Sequence, residues 1–195
     1  MACIPKDEIN RKMFHLLSLI YIYSYWYIPK IIVIYGLLIT IIVVIFFEYF
    51  RFKNYKFKIF FENNFKSFCR PEETKKISGL IGTLLGALFT ILIFNNKRMV
   101  FASFLYFAFG DLIAAIIGKG FGKNKFFSKK KTVEGSLSCL TVCFIIGIFI
   151  FNDWKFALFG AIVATFIEAI PWKINDNFWM QIINAWFLSF LSTIM

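Results

Sequence analysis

The chain has 195 residues, of which 59% are apolar and 28 are phenylalanine. A soluble domain of this length has no interior large enough for that much apolar surface, so the composition excludes one and indicates a polytopic membrane protein. The formal net charge of +11 would point to nucleic acid in a soluble protein, but in a membrane protein it is first a topology signal.

Residues 1–12 are polar and mixed in charge, with Lys6, Asp7, Glu8, Arg11 and Lys12. No small-residue cleavage site follows the first apolar run, so no cleaved signal peptide is expected. Apolar runs then fall at roughly 13–28, 29–50, 77–94, 99–118, 134–151, 154–172 and 177–195. A crossing helix takes about 20 residues. The runs therefore predict an all-α, polytopic membrane bundle of about seven transmembrane helices, a single integral membrane domain over residues 1–195.

Seven crossings place residues 1–12, 51–76, 119–133 and 173–176 on one side, and these carry 18 of the 22 Lys and Arg residues. The opposite side holds only Lys30, Lys97, Arg98 and Lys155. The positive-inside rule makes the first side cytoplasmic. The same distribution accounts for most of the net charge, so no nucleic acid partner is expected. Cys3, Cys69, Cys139 and Cys143 show no metal spacing. Cys139 and Cys143, four apart in an apolar run, are expected to pack as small apolar residues.

The chemistry concentrates between Gly110 and Ser136, GDLIAAIIGKGFGKNKFFSKKKTVEGS. Asp111 stands inside an apolar run, where a bare carboxylate is costly, so a cation or metal partner is expected. Gly118, Gly120 and Gly122 alternate with Lys119 and Lys123. Such glycines let backbone N–H groups approach phosphate oxygens, lysines neutralise them, and carboxylates hold a metal. The Walker spacing is absent, so this is not a P-loop. Thr132 stands where the next helix should begin, as a cap facing N–H groups suited to a phosphate, and Glu134 follows in its first turn. Glu8, Arg11, Lys12 and His15 share one helical face, which either grips anionic headgroups or closes over a ligand. Glu168 lies three residues before Pro171, with Lys173 or the lysine loop as possible partners.

These residues carry a resemblance. GDLIAAIIGKGFG followed by KKKTVEGS resembles the signature of the CTP-dependent lipid kinases. That family includes dolichol kinase, phytol kinase and the yeast-type diacylglycerol kinase, and is related to the phosphatidate cytidylyltransferases. Glu8-Ile-Asn-Arg11-Lys12-Met-Phe-His15 resembles the family's ExxRKxxH element, and Asp176-Asn177 its Asp-Asn pair. The family often has a proline soon after that pair, whereas Phe178-Trp179-Met180-Gln181 follows here. The chain resembles the family's catalytic core without the extra N-terminal helices of dolichol kinases.

The resemblance implies a kinase that takes CTP as donor, with magnesium, and phosphorylates a lipid alcohol: a polyprenol, dolichol, phytol-like alcohol or diacylglycerol. It implies a catalytic set of Asp111, Asp176, Glu134 and Lys131, with magnesium on Asp111 and either Asp176 or Glu134. The nucleotide is then met by Gly118, Lys119, Gly122, Lys123, Lys131, Thr132, Glu134, Ser136, Arg11 and Lys12. Small residues at Gly79, Gly82, Gly86, Ala87, Ala114 and Ala115 would allow close helix contact around a lipid slot.

The alternative is a cytidylyltransferase acting on a lipid phosphate, with the basic segment 51–76 receiving the anionic acceptor. The chain lacks the Ser-, Arg- and Asp-rich C-terminal signature of that family. A transporter would more often place ionisable groups near the bilayer midplane, and a scaffold has no reason to keep three acid-bearing motifs.

Overall fold

The computed structural model describes residues 16, 18–65, 78–126, 131–170 and 176–195. Among them the architecture is all-α apart from one pair of two-residue strands. Helix α1 is Ser18–Tyr27, and Pro29, which cannot continue a helix, separates it from α2, Lys30–Lys53. Helix α3 is Tyr55–Phe65 and α4 is Gly79–Ile93. The long α5, Lys97–Gly120, contains a π-helical segment, Tyr106–Gly110. An antiparallel pair, β1 (Lys125–Phe126) and β2 (Lys131–Thr132), leads into α6, Val133–Phe151. Helices α7, Trp154–Ala169, and α8, Asp176–Ile194, complete the chain.

Each of the seven apolar runs holds a helix, but fewer than seven of these helices are long and apolar enough to cross a membrane. Three qualify among the described residues: α2, α5 and α6. Helices α1, α4 and α7 have 10, 15 and 16 residues. Helix α8 has 19 but interrupts its apolar surface with Asn177, Gln181 and Asn184, all buried. Helix α3 falls in a segment read as a basic loop. Asn54 ends α2 and caps α3, its side-chain oxygen accepting from the N–H groups of Lys56 (3.0 Å) and Phe57 (3.2 Å).

The two larger apolar cores share α5. The first joins Ile22 and Tyr25 of α1, Leu37 of α2, Ala87 and Ile91 of α4, and Val100 and Phe104 of α5. The second joins Tyr106 and Ala114 of α5 to Cys139 and Cys143 of α6, Ala161 of α7 and Leu188 of α8. The two thiols are buried and free, packing as the sequence led one to expect. Helix α2 buries a narrow stripe, Val33, Leu37 and Ile41. Ile31, Ile32, Tyr35, Ile39, Ile42 and Phe46 face outward, an apolar exterior suited to lipid.

Side-chain contacts sort the two ends of the bundle. At one end the Lys30 ammonium donates to Asn95 Oδ1 (2.8 Å) and that of Lys97 to the carbonyl of Trp26 (3.4 Å). The turns α1–α2 and α4–α5 thus lie together. At the other end Arg51 pairs with Glu48 (2.6 Å), whose carboxylate also accepts from Ser78 just before α4. Asn177 at the start of α8 donates to the carbonyl of Gly79 (3.5 Å).

Candidate functional site

The second end holds the chemistry. Asp111 follows the π-helical segment directly. A π turn carries one more residue than an α turn, so it rotates everything after it relative to the preceding helix. Asp111 is buried, at 7% exposure, and α5 ends at Gly120, roughly 13 Å further along the axis.

Past α5 the chain folds around Thr132. Its hydroxyl accepts from the N–H of Gly135 (3.2 Å) and caps α6. A methyl group added at Gly118 would stand 2.8 Å from that hydroxyl, at Gly122 2.7 Å, and at Gly135 3.1 Å. At Gly122 it would also strike the carbonyl oxygen of Gly118, and at Gly135 the carbonyl oxygen of Ala114 (2.7 Å). None of the described glycines has positive φ. These glycines therefore provide room for the end of α5, the loop and the start of α6 to meet on one threonine.

Glu134 closes the same loop. Its carboxylate accepts from the backbone N–H groups of Lys123 (3.1 Å) and Asn124 (3.2 Å), and the Val133 N–H returns a bond to the Asn124 carbonyl (2.9 Å). The Ser136 hydroxyl, one turn beyond Thr132, is buried with no hydrogen-bond partner among the described residues.

Lys131, opening β2, brings the distant parts of the chain together. Its ammonium pairs with Glu168 in the last turn of α7. Glu168 is 3% exposed. Burial pulls the lysine pKa down, but Glu168, Asp111 and Asp176 together hold it above the ordinary lysine value. Four elements thus place charged groups within electrostatic reach of one point: α5 with Asp111, β2 with Lys131, α7 with Glu168 and α8 with Asp176. Asp176 is held through its neighbour: Asn177 donates to α4, and Gln181 donates to the carbonyls of Thr83 (3.0 Å) and Asn177 (2.9 Å).

Of the two acids considered as a second metal ligand, Asp176 lies with Asp111 near Lys131, while Glu134 is engaged with the loop. No three His, Cys, Asp or Glu side chains among the described residues are grouped to hold a metal by themselves. That donor set suits magnesium, which is usually held by one or two carboxylates together with substrate phosphates. Lys119 and Lys123 are exposed near the loop. Arg11, Lys12, Glu8, His15, Lys129, Lys130 and Lys173 lie outside the described residues.

The sequence offers Glu168 two partners, Lys173 or the lysine loop; it pairs with Lys131 of that loop. One feature was not drawn from the sequence. The buried Glu48–Arg51 pair, with the guanidinium over the rings of Phe52 and Phe61, was readable as an acid and a base three apart at the end of an apolar run.

No family model matches the chain, and no solved structure matches it. Two relatives align over nearly its full length. The uncharacterized protein RP860 of Rickettsia prowazekii is 26% identical over 181 residues, 87% of each chain. The uncharacterized protein MJ1137 of Methanocaldococcus jannaschii is 31% identical over 185 residues, 93% of each chain. At that identity and coverage, the chain belongs to the same family as MJ1137.

Proposed function

We propose that the protein is a CTP-dependent kinase that phosphorylates the hydroxyl of a membrane lipid alcohol, working as a membrane enzyme of about seven transmembrane helices with its site on the cytoplasmic face. The observation that carries this reading is that Asp111 and Asp176, drawn from separate motifs, both act electrostatically on the Lys131 ammonium. The choice of CTP comes from the sequence resemblance.

In this reading the lipid hydroxyl attacks the γ-phosphorus of CTP, the bond to the β-phosphate oxygen breaks, and CDP leaves. The hydroxyl proton passes to water as the new P–O bond forms. Lys131 balances phosphate charge as it shifts toward the leaving group, with Lys119 and Lys123 at the loop. The α6 N-terminus offers N–H groups, and the Ser136 hydroxyl a free donor. Asp111 and Asp176 are the residues that would hold magnesium, which when bound supplies charge neutralisation on the phosphates. Catalysis is then mostly positioning and electrostatics.

The test is to supply the purified protein with γ-labelled CTP and a panel of lipid alcohols. Label moving into one lipid supports the kinase and names its acceptor. Release of pyrophosphate with cytidine entering a lipid phosphate would assign cytidylyl transfer instead, and label that never leaves CTP would remove the kinase reading.

A further inference from the structure

We propose that Glu168 is a positioning residue, whose carboxylate holds the Lys131 ammonium where it meets phosphate and keeps it off Asp111 and Asp176. The inference rests on the phosphoryl-transfer reading above. Lys131 sits on a two-residue strand in a connecting loop, and a lysine side chain there has four flexible carbons and no inherent preference for one direction. Glu168 fixes that direction from a separate and rigid element, the end of α7, where it is almost wholly buried. An ammonium has three donors, so a bond to Glu168 leaves two for phosphate oxygens.

The charges explain why a third carboxylate is needed. Asp111 and Asp176 also attract Lys131. Without Glu168 the ammonium would turn to one of them, which would quench a carboxylate wanted for magnesium and withdraw the lysine from the phosphate. Asp111 and Asp176 would touch the nucleotide's metal, whereas Glu168 acts through Lys131.

The experiment uses the full chain in detergent, with Glu168→Gln and Glu168→Asp compared with wild type. Acylation of Lys131 by an amine-directed reagent is followed by peptide mass spectrometry, with and without magnesium and inorganic triphosphate. Loss of the partner carboxylate should speed labelling about tenfold in Glu168→Gln, with Glu168→Asp in between. Triphosphate should protect Lys131 in wild type and much less in Glu168→Gln. In the labelled-CTP assay Glu168→Gln should lower kcat roughly 10²-fold with little change in KM for CTP. Glu168→Asp should restore part of the loss, and Glu168→Gln should add nothing in a Lys131→Met background.

A purely structural Glu168 would lower the thermal midpoint and multiply its loss onto that of Lys131→Met. That outcome, or unchanged Lys131 labelling in a folded Glu168→Gln protein, overturns the proposal. If Glu168→Gln does not fold, the graded response of Glu168→Asp decides in its place. If wild type transfers no label, the kinase reading fails separately. Triphosphate protection that depends on Glu168 would then keep the positioning role for another phosphate chemistry, and no protection in either protein would end it.

Discussion

Asp111 and Thr132 show two different ways in which single residues fix the site. A buried carboxylate is costly without a cation or hydrogen-bond donors near it, and Lys131 is one cation within electrostatic reach of Asp111. Asp111→Asn keeps the shape and removes the charge. We expect a folded protein, by an unchanged thermal midpoint within a few degrees, and turnover at least about 10²-fold lower in the labelled-CTP assay. Full activity would remove Asp111 from metal binding. Thr132 acts by packing: Gly122→Ala would drive a methyl group into the Gly118 carbonyl and the Thr132 side chain. The loop must then open, and triphosphate protection of Lys131 should weaken by about tenfold or more. Protection equal to wild type would show that the loop closes without the glycine. The glycines and lysines of this loop were legible as a candidate phosphate site, but the reason for the glycines was not. A glycine needed for backbone freedom and one needed for room are the same letter, and only the Thr132 contacts separate them.

At the scale of elements, helix existence was readable and helix ends were not. All seven apolar runs contain helices because hydropathy reports which segments avoid water. It does not report where a cap stops them, so Asn54 and α3 were missed, and α7 is shorter than its run. The π-helical segment before Asp111 had no sequence signal at all. Small residues were more informative. Gly86 of α4 lies against α8, where an added methyl would stand 2.9 Å from both the Phe178 carbonyl oxygen and the Gln181 side-chain nitrogen. Backbone cannot yield as a flexible side chain can, so Gly86→Ala should destabilise the protein by about 1–3 kcal/mol. Gly36, on the lipid-facing α2, has nothing within 4 Å of the same added methyl. There the entropy of a helical glycine dominates, and Gly36→Ala should be neutral or stabilising by up to about 1 kcal/mol. Thermal unfolding of the two variants in one detergent checks both signs. A Gly86→Ala protein as stable as wild type would mean that α4 and α8 are not packed this closely.

For the whole molecule, the question is whether the two ends of the bundle are the two sides of a membrane. The basic residues divide 18 to 4 by sequence if seven segments cross, and among the described residues three helices meet the usual length and apolarity. The contacts supply an independent argument. Lys30, Asn95 and Lys97 lie at one end, and the Lys131–Glu168 pair lies where α7 finishes. Helix α7 starts at Trp154, so its turn with α6 belongs at the opposite end from Glu168. Short helices can still cross by tilting or by thinning the bilayer around them, and α5, shared by both cores, needs no such help. The prediction is a sidedness pattern. With Cys3 and Cys69 replaced by serine, Asn95→Cys and Lys155→Cys should react with an impermeant thiol reagent from one face of sealed vesicles. Lys125→Cys should react only from the other face, and in cells that face should be the cytoplasmic one. All three positions are exposed, while Cys139 and Cys143 are buried and should remain silent. Lys125→Cys and Asn95→Cys reacting from one face would mean that α5 does not cross. Lys155→Cys siding with Lys125→Cys would mean that α6 does not, and either result would break the alternation on which a cytoplasmic nucleotide site depends.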